Sequence, residues 1–132
     1  MSDFHAALRR RLLDDAAVAG IVGARIFWGI VPPDTPTPYL RLQVISDPRP
    51  QLLDDYEDGR TTRVQCDAFA DTHAEAVAAA QALIAAVATP ATVAGVAFGN
   101  CRADGPRDLG EDTDRGFKHR ASTDLLAEHG LA

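Results

Sequence analysis

Two alternating strands followed by a capped helix constrain this chain most. PYLRLQVIS at residues 38–46 and RTTRVQCDAFA at 60–70 run into DTHAEAVAAAQALIAAV. In the first strand Leu40, Leu42 and Val44 point one way and Tyr39, Arg41, Gln43 and Ile45 the other, because successive side chains leave opposite faces of a strand. In the second, Val64, Cys66 and Ala68 are expected to face a core while Arg63, Gln65 and Asp67 stay polar. Thr72-His73-Ala74-Glu75 then forms a T-x-x-E capping box, in which hydroxyl and carboxylate satisfy free backbone N–H groups at the start of a helix. That helix is expected to bury Val77, Ala80, Ile84 and Val87, with Leu83 beside them, and to stop before Pro90.

The flanking segments extend this unit. A helix from about Asp3 to Leu13, with Ser2 as N-cap, places Phe4, Leu8 and Leu12 on one stripe and Arg9 and Arg10 off it. Asp15 is placed to cap a short second helix through Val18, Ile21 and Val22, ended by Gly20 and Gly23. Arg25 to Ile30 reads as a strand. The proline-rich VPPDTPTP after it cannot donate a regular ladder and must be a loop or crossover at a sheet edge. Val93 to Cys101 is predicted as a strand, Gly105 to Arg115 as a polar loop, and Phe117 to Leu126 as the last strand. The order predicts an α+β fold: a mainly antiparallel sheet of four to five strands with two main helices packed on one face. A chain of 132 residues, 46% hydrophobic, is sized for one domain over its whole length.

Chemistry-bearing patterns are sparse. His5, His73, His119 and His129 form no HExxH or other zinc spacing. Cys66 and Cys101 lack CxxC context and read as reduced, mostly buried thiols. Asp108, Glu111, Asp112 and Asp114 lack the alternating ligands and closing glutamate of a calcium loop. Paired acids such as Asp14 and Asp15 read as caps or surface charge, and Ser46 and Ser122 lack a nucleophile-elbow context. No glycine pattern suits a phosphate. The expectation is therefore of no catalytic residue, cofactor or metal. A formal charge of −6 without a basic stripe argues against wrapping nucleic acid. The N-terminal segment, interrupted by Arg9 to Arg11, does not read as a signal peptide, and no run is long enough to span a bilayer. Synthesis in a bacterial cytoplasm is the expectation that follows.

One segment is too long for a simple hairpin tip. SDPRPQLLDDYEDG, residues 46–59, mixes Leu52, Leu53 and Tyr56 with Asp54, Asp55, Glu57 and Asp58. It reads either as a flap on its own core or as a surface for another subunit. Trp28 likewise reads as an interface anchor or as a partly buried core residue.

PYLRLQVIS, TTRVQCDAFADTHAEAVAAAQALIAAV and the closing EDTDRGFKHRASTDLLAEH together resemble the tail-completion or tail-terminator proteins of long-tailed bacteriophages, prophages or gene transfer agents. The resemblance implies a non-enzymatic subunit of a hexameric ring at the head-proximal end of a tail tube. There it would end tube growth and join the tail to the head-closure, or stopper, protein. Its partners would be copies of itself, the major tail-tube protein and that closure protein, with DNA only passing through the channel and no membrane. Its place would be the cytoplasm during assembly and then the neck of the virion tail. On that reading Leu52, Leu53, Tyr56 and Trp28 would contact a subunit or the tube, and Asp54, Asp55, Glu57 and Asp58 would lie at the rim or channel. A small α+β enzyme or ligand-binding domain, or another neck protein, is the alternative.

Overall fold

The computed structural model describes residues 3–46, 60–113 and 116–131. Helix α1, Phe4–Leu13, begins one residue later than expected because Asp3, not Ser2, is its cap: the Asp3 carboxylate accepts the His5 N–H at 2.9 Å. Phe4, Leu8 and Leu12 are buried as their spacing requires, but Arg11 joins them. Its guanidinium lies over the Phe98 ring, 5.3 Å from the centroid, and donates to the Thr89 carbonyl. Helix α2, Ala16–Val22, is capped by Asp15, whose Oδ1 accepts from Ala17 and Val18. Gly20 stays inside the helix, and Gly23, at φ +60°, ends it.

Strand β1, Ile26–Trp28, is shorter than the predicted Arg25–Ile30. Gly29, at φ +72°, turns the chain out of the strand, and the proline-rich crossover brings β2, Tyr39–Ser46, alongside β1 in parallel. Strand β3, Arg60–Ala70, returns antiparallel to β2, with Leu40 opposite Ala68 and Leu42 opposite Cys66. Helix α3, His73–Ala86, starts where the capping box places it, with Thr72 Oγ1 accepting the Glu75 N–H at 3.2 Å. Its buried stripe is Ala76, Ala79, Ala80, Leu83 and Val87, so Val77 and Ile84 are only half-buried. The helix is rotated by about one position, which lets its alanines approach the sheet.

The second half departs further from expectation. Val93 to Cys101 is two strands, β4 Ala91–Val93 and β5 Val96–Asp108, joined by a tight turn in which Ala94 and Gly95 both have positive φ. The supposed polar loop is mostly strand: β5 runs through Asp108, and β6 covers Glu111–Thr113. The last strand, β7, extends over Gly116–Leu131. Its length allows β7 to pair with both β3 and β5, and these ladders hold polar residues that local composition assigns to a loop. Gly105 and Pro106 are accommodated at an irregularity between Asp104 and Arg107.

The strand order is β1-β2-β3-β7-β5-β4, with β6 on β7, so the sheet has more strands than the four to five expected. It is antiparallel except for β1 and β2. All three helices contribute to one core with Leu40, Leu42, Val64, Cys66, Ala68, Leu125 and Ala127, which share one sheet face by register. The polar residues alternating with them project from the opposite face.

Candidate interaction surface

On that opposite face the register sets side chains in rows across four strands. Arg41, Asp67, Ser122 and Arg107 make one row, Tyr39, Phe69 and Arg120 the next. Asp67, expected to remain an ordinary polar strand residue, is fully buried. Arg41 donates to its Oδ2 at 2.9 Å and Arg120 to the same oxygen at 3.2 Å, while Gln65 Nε2 reaches Oδ2 at 3.1 Å. Burial by itself pushes this carboxyl's pKa up, but the hydrogen bond from Arg41, the neighbouring Ser122, and the bonds from Arg120 and Gln65 outweigh it. The net pKa lies below the ordinary carboxylate value, so Asp67 is charged.

Aromatic rings lie among these charges. Tyr39 and Phe69 stack at 5.0 Å, Arg41 and Arg120 both sit over Phe69, and Lys118 sits over Tyr39. A second carboxylate, Asp124, lies 3.6 Å from Arg63 and 3.4 Å from Arg107. The layering decides what the face presents. The Asp67 and Asp124 side chains are 0% and 14% exposed, whereas Arg120, Arg41, Arg63 and Arg107 are 22%, 27%, 43% and 51% exposed. Asp67 and Asp124 therefore form a floor beneath these four guanidiniums, and Arg102, Asp104 and Glu128 are also on this face by register and exposed. Each floor carboxylate holds two guanidiniums in place, which lowers the entropy lost when they bind an anion.

The sequence reading missed this cluster, although one signal was present: Asp67 interrupts a strand of Val, Cys, Ala and Phe, where an aspartate is disfavoured unless paired. Of the anticipated contact residues, Leu52, Leu53, Asp54, Asp55, Tyr56, Glu57 and Asp58 lie outside the described residues. Trp28 is half-buried at the β1 edge, its indole N–H donating to the His5 carbonyl at 2.9 Å, with the Phe4 and His5 rings beside it. Its strand is separated by β2 and β3 from β7 and β5, which carry Lys118 and Arg107.

His73 and His119 meet at the margin of a cavity of about 240 Å³ that Asp108 and Arg120 also line. His73 Nδ1 is 3.3 Å from Asp108, and both side chains are more than half exposed. Small-molecule pockets usually run from about 300 Å³ upward. Among the described residues no three His, Cys, Asp or Glu side chains converge as a metal site. His5 and His129 sit apart from this cavity: His129 is buried, stacked on Phe4 at 4.0 Å and 2.7 Å from Thr62 Oγ1. Burial pushes the Cys66 thiol far up, helped by the negative charges of Asp67 and Asp124, and pushes Cys101 up as well. Both thiols are free.

Residues 6–124 match the family described as Tail completion protein gp17. The chain belongs to this family. Members are structural proteins of phage tails. By structure, this tail completion chain is similar to a chain of the virion of a native gene transfer agent particle. The TM-score is 0.69 at 18% identity, over 97% of this chain and 93% of that one, which shows a common fold. No curated protein matches it by sequence. No helix among the described residues is long and apolar enough to cross a membrane.

Proposed function

We propose that this protein is the tail-terminator subunit of a phage-like particle. Copies form a six-membered ring at the head-proximal end of the tail tube, end its growth and join the tail to the head-closure protein. Family membership over residues 6–124 carries this reading. The fold shared with a gene transfer agent virion chain supports it, and leaves phage, prophage and gene transfer agent as sources of the particle. A structural role also fits a site made of ion pairs and stacked rings, which suits binding to a surface more than chemistry on a small molecule.

In this reading the subunit is made in the bacterial cytoplasm and ends in the virion neck. Its contacts with the next subunit or the tube come from Leu52, Leu53, Tyr56 and Trp28, with Asp54, Asp55, Glu57 and Asp58 at the rim or channel. The duplex passes through without sequence-specific contact, because like charge keeps it from sticking. Burying one Leu or Tyr anchor contributes about 1.5–3 kcal/mol, repeated at every interface of a ring. Leu53→Ser combined with Tyr56→Ser should leave a folded subunit whose tails are of irregular length or lack heads. Electron micrographs of lysates showing normal tails joined to heads would remove these residues from the mechanism. Native mass spectrometry and images of assembled tails that show only monomers or two-fold dimers would remove the ring.

A further inference from the structure

We infer that the arginine face of the sheet receives the acidic segment Asp54–Asp58 of a second copy of this chain. The inference rests on the ring reading and, of the two placements given above for the acids, takes the rim of the contact between subunits and not the channel. A ring closed by rotation uses a head-to-tail contact, so every copy must carry two different and mutually complementary patches. The chain carries a cationic sheet face and, in its sequence, an acidic run of opposite sign.

The first is the helix-free sheet face, where Arg41, Arg63, Arg102, Arg107, Lys118 and Arg120 share one side of β2, β3, β5 and β7. Asp67 and Asp124 are sunk beneath them, and even with the exposed Asp104 and Glu128 on the same side the cations outnumber the carboxylates six to four among the described residues, in a chain whose net charge is −6. The guanidiniums also keep donors to spare. A guanidinium carries five N–H groups in a rigid fork suited to carboxylates, and Arg41, Arg63, Arg107 and Arg120 all keep part of that fork at the surface while holding Asp67 and Asp124. With Arg41 and Arg120 set over Phe69, and Arg63 and Arg107 flanking Asp124, the forks are already oriented before a partner arrives.

The second patch is the densest acidic run in the chain, four carboxylates in the five residues 54–58. Two pairs of carboxylates on either side of Tyr56 match a surface of spaced guanidiniums in charge and hydrogen-bonding type. Opposite-sign patches of this kind set the register and partner choice of an interface, and they make assembly weaken with salt.

The test is a charge exchange. One variant carries Arg102→Glu and Arg107→Glu, which are exposed positions whose change leaves Arg63 on Asp124. The other carries Asp54→Arg and Asp55→Arg, and a third chain carries all four changes. Circular dichroism melts first establish that each is folded; Arg107→Gln replaces the Glu pair if that variant melts early. Native mass spectrometry at high concentration then reads the population of oligomers. Each two-site variant alone should lose at least tenfold of it, while the equimolar mixture and the four-site chain should recover it. The mixture should form only even-numbered rings of alternating mass. Where the unaltered protein assembles only on tails, the same comparison is scored as restored tail length in cells lacking the gene.

Two-site variants that assemble normally, or a mixture no better than its components, would overturn the inference while leaving the ring reading intact. Recovery by the four-site chain without recovery by the mixture would place the segment on its own copy's face, and would overturn it too. So would a face variant that keeps assembly but loses affinity for a 30-base-pair duplex, which would assign the face to nucleic acid. An unaltered protein that neither oligomerises nor restores tails would instead take the ring reading down, and this inference with it.

Discussion

Replacing Asp67 with Asn probes the charge layer beneath the arginine face with almost no change of shape. In the native protein the carboxylate is fully buried and accepts from Arg41 at 2.9 Å, Arg120 at 3.2 Å and Gln65 at 3.1 Å. Removing one partner of a buried ion pair costs about 3–5 kcal/mol, because the remaining charge is left without compensation. Two features reduce that figure here. Asn keeps one carbonyl acceptor, and the Arg41 and Arg120 side chains, 27% and 22% exposed, can turn part of their charge to water. The expected loss at neutral pH is about 2–3 kcal/mol by that discount. For a domain of this length it lowers Tm by about 6–15 °C.

Urea unfolding followed by circular dichroism between pH 3 and 7 measures both the size and the sign. The folded pKa of Asp67 is lowered, so its contribution is present above the unfolded carboxyl value of about 3.9 and is lost as pH falls through the folded value. The gap between the native protein and Asp67→Asn should therefore be widest at neutral pH and close in acid. A difference under about 0.5 kcal/mol at pH 7, the range of ordinary surface substitutions, would refute the reasoning. So would a gap that stays constant into acid.

Three further outcomes test the local structure. Thr72→Ala should cost about 1 kcal/mol by removing the Oγ1 acceptor from the Glu75 N–H, seen as a lower urea midpoint with unchanged slope. Gly105→Ala should cost about 1–3 kcal/mol: φ is +130°, and a Cβ there would meet the Ser122 carbonyl oxygen at 2.8 Å, so amide exchange should speed up along β5 and β7, and unchanged exchange would contradict that contact. Because burial raises the Cys66 thiol and half-buries Cys101, iodoacetamide at pH 8 should label Cys101 first and Cys66 only with unfolding; rapid labelling of native Cys66, read by peptide mass spectrometry, would contradict the burial assigned to β3.

Local chemistry in the sequence determined much of the framework. Asp15 and Thr72 start helices because their side chains accept nearby N–H groups whatever the fold around them. The alternation of Leu40 and Leu42 against Val64, Cys66 and Ala68 selects one buried face of β2 and β3, since a strand's period of two admits no other assignment. These features also carried the likeness to tail-completion proteins, which the match over residues 6–124 bears out.

What remained undetermined depended on partners distant in sequence. Residues 105–108, at the start of the segment Gly105 to Arg115, read as a polar loop until β7 lies beside them and supplies the ladder that a strand needs. The buried stripe of α3 could turn from Val77 and Ile84 to Ala76 and Leu83 because a helix so rich in alanine has weak preference between faces, and the sheet decides how near it comes. Asp67 shows the limit most clearly. Its own strand marks it as polar, but whether a strand carboxylate faces water or an ion-pair floor depends on which side chains the neighbouring strands set beside it. Arg41 is 26 residues away and Arg120 is 53, and only the register of β2, β3 and β7 brings both guanidiniums to one carboxylate.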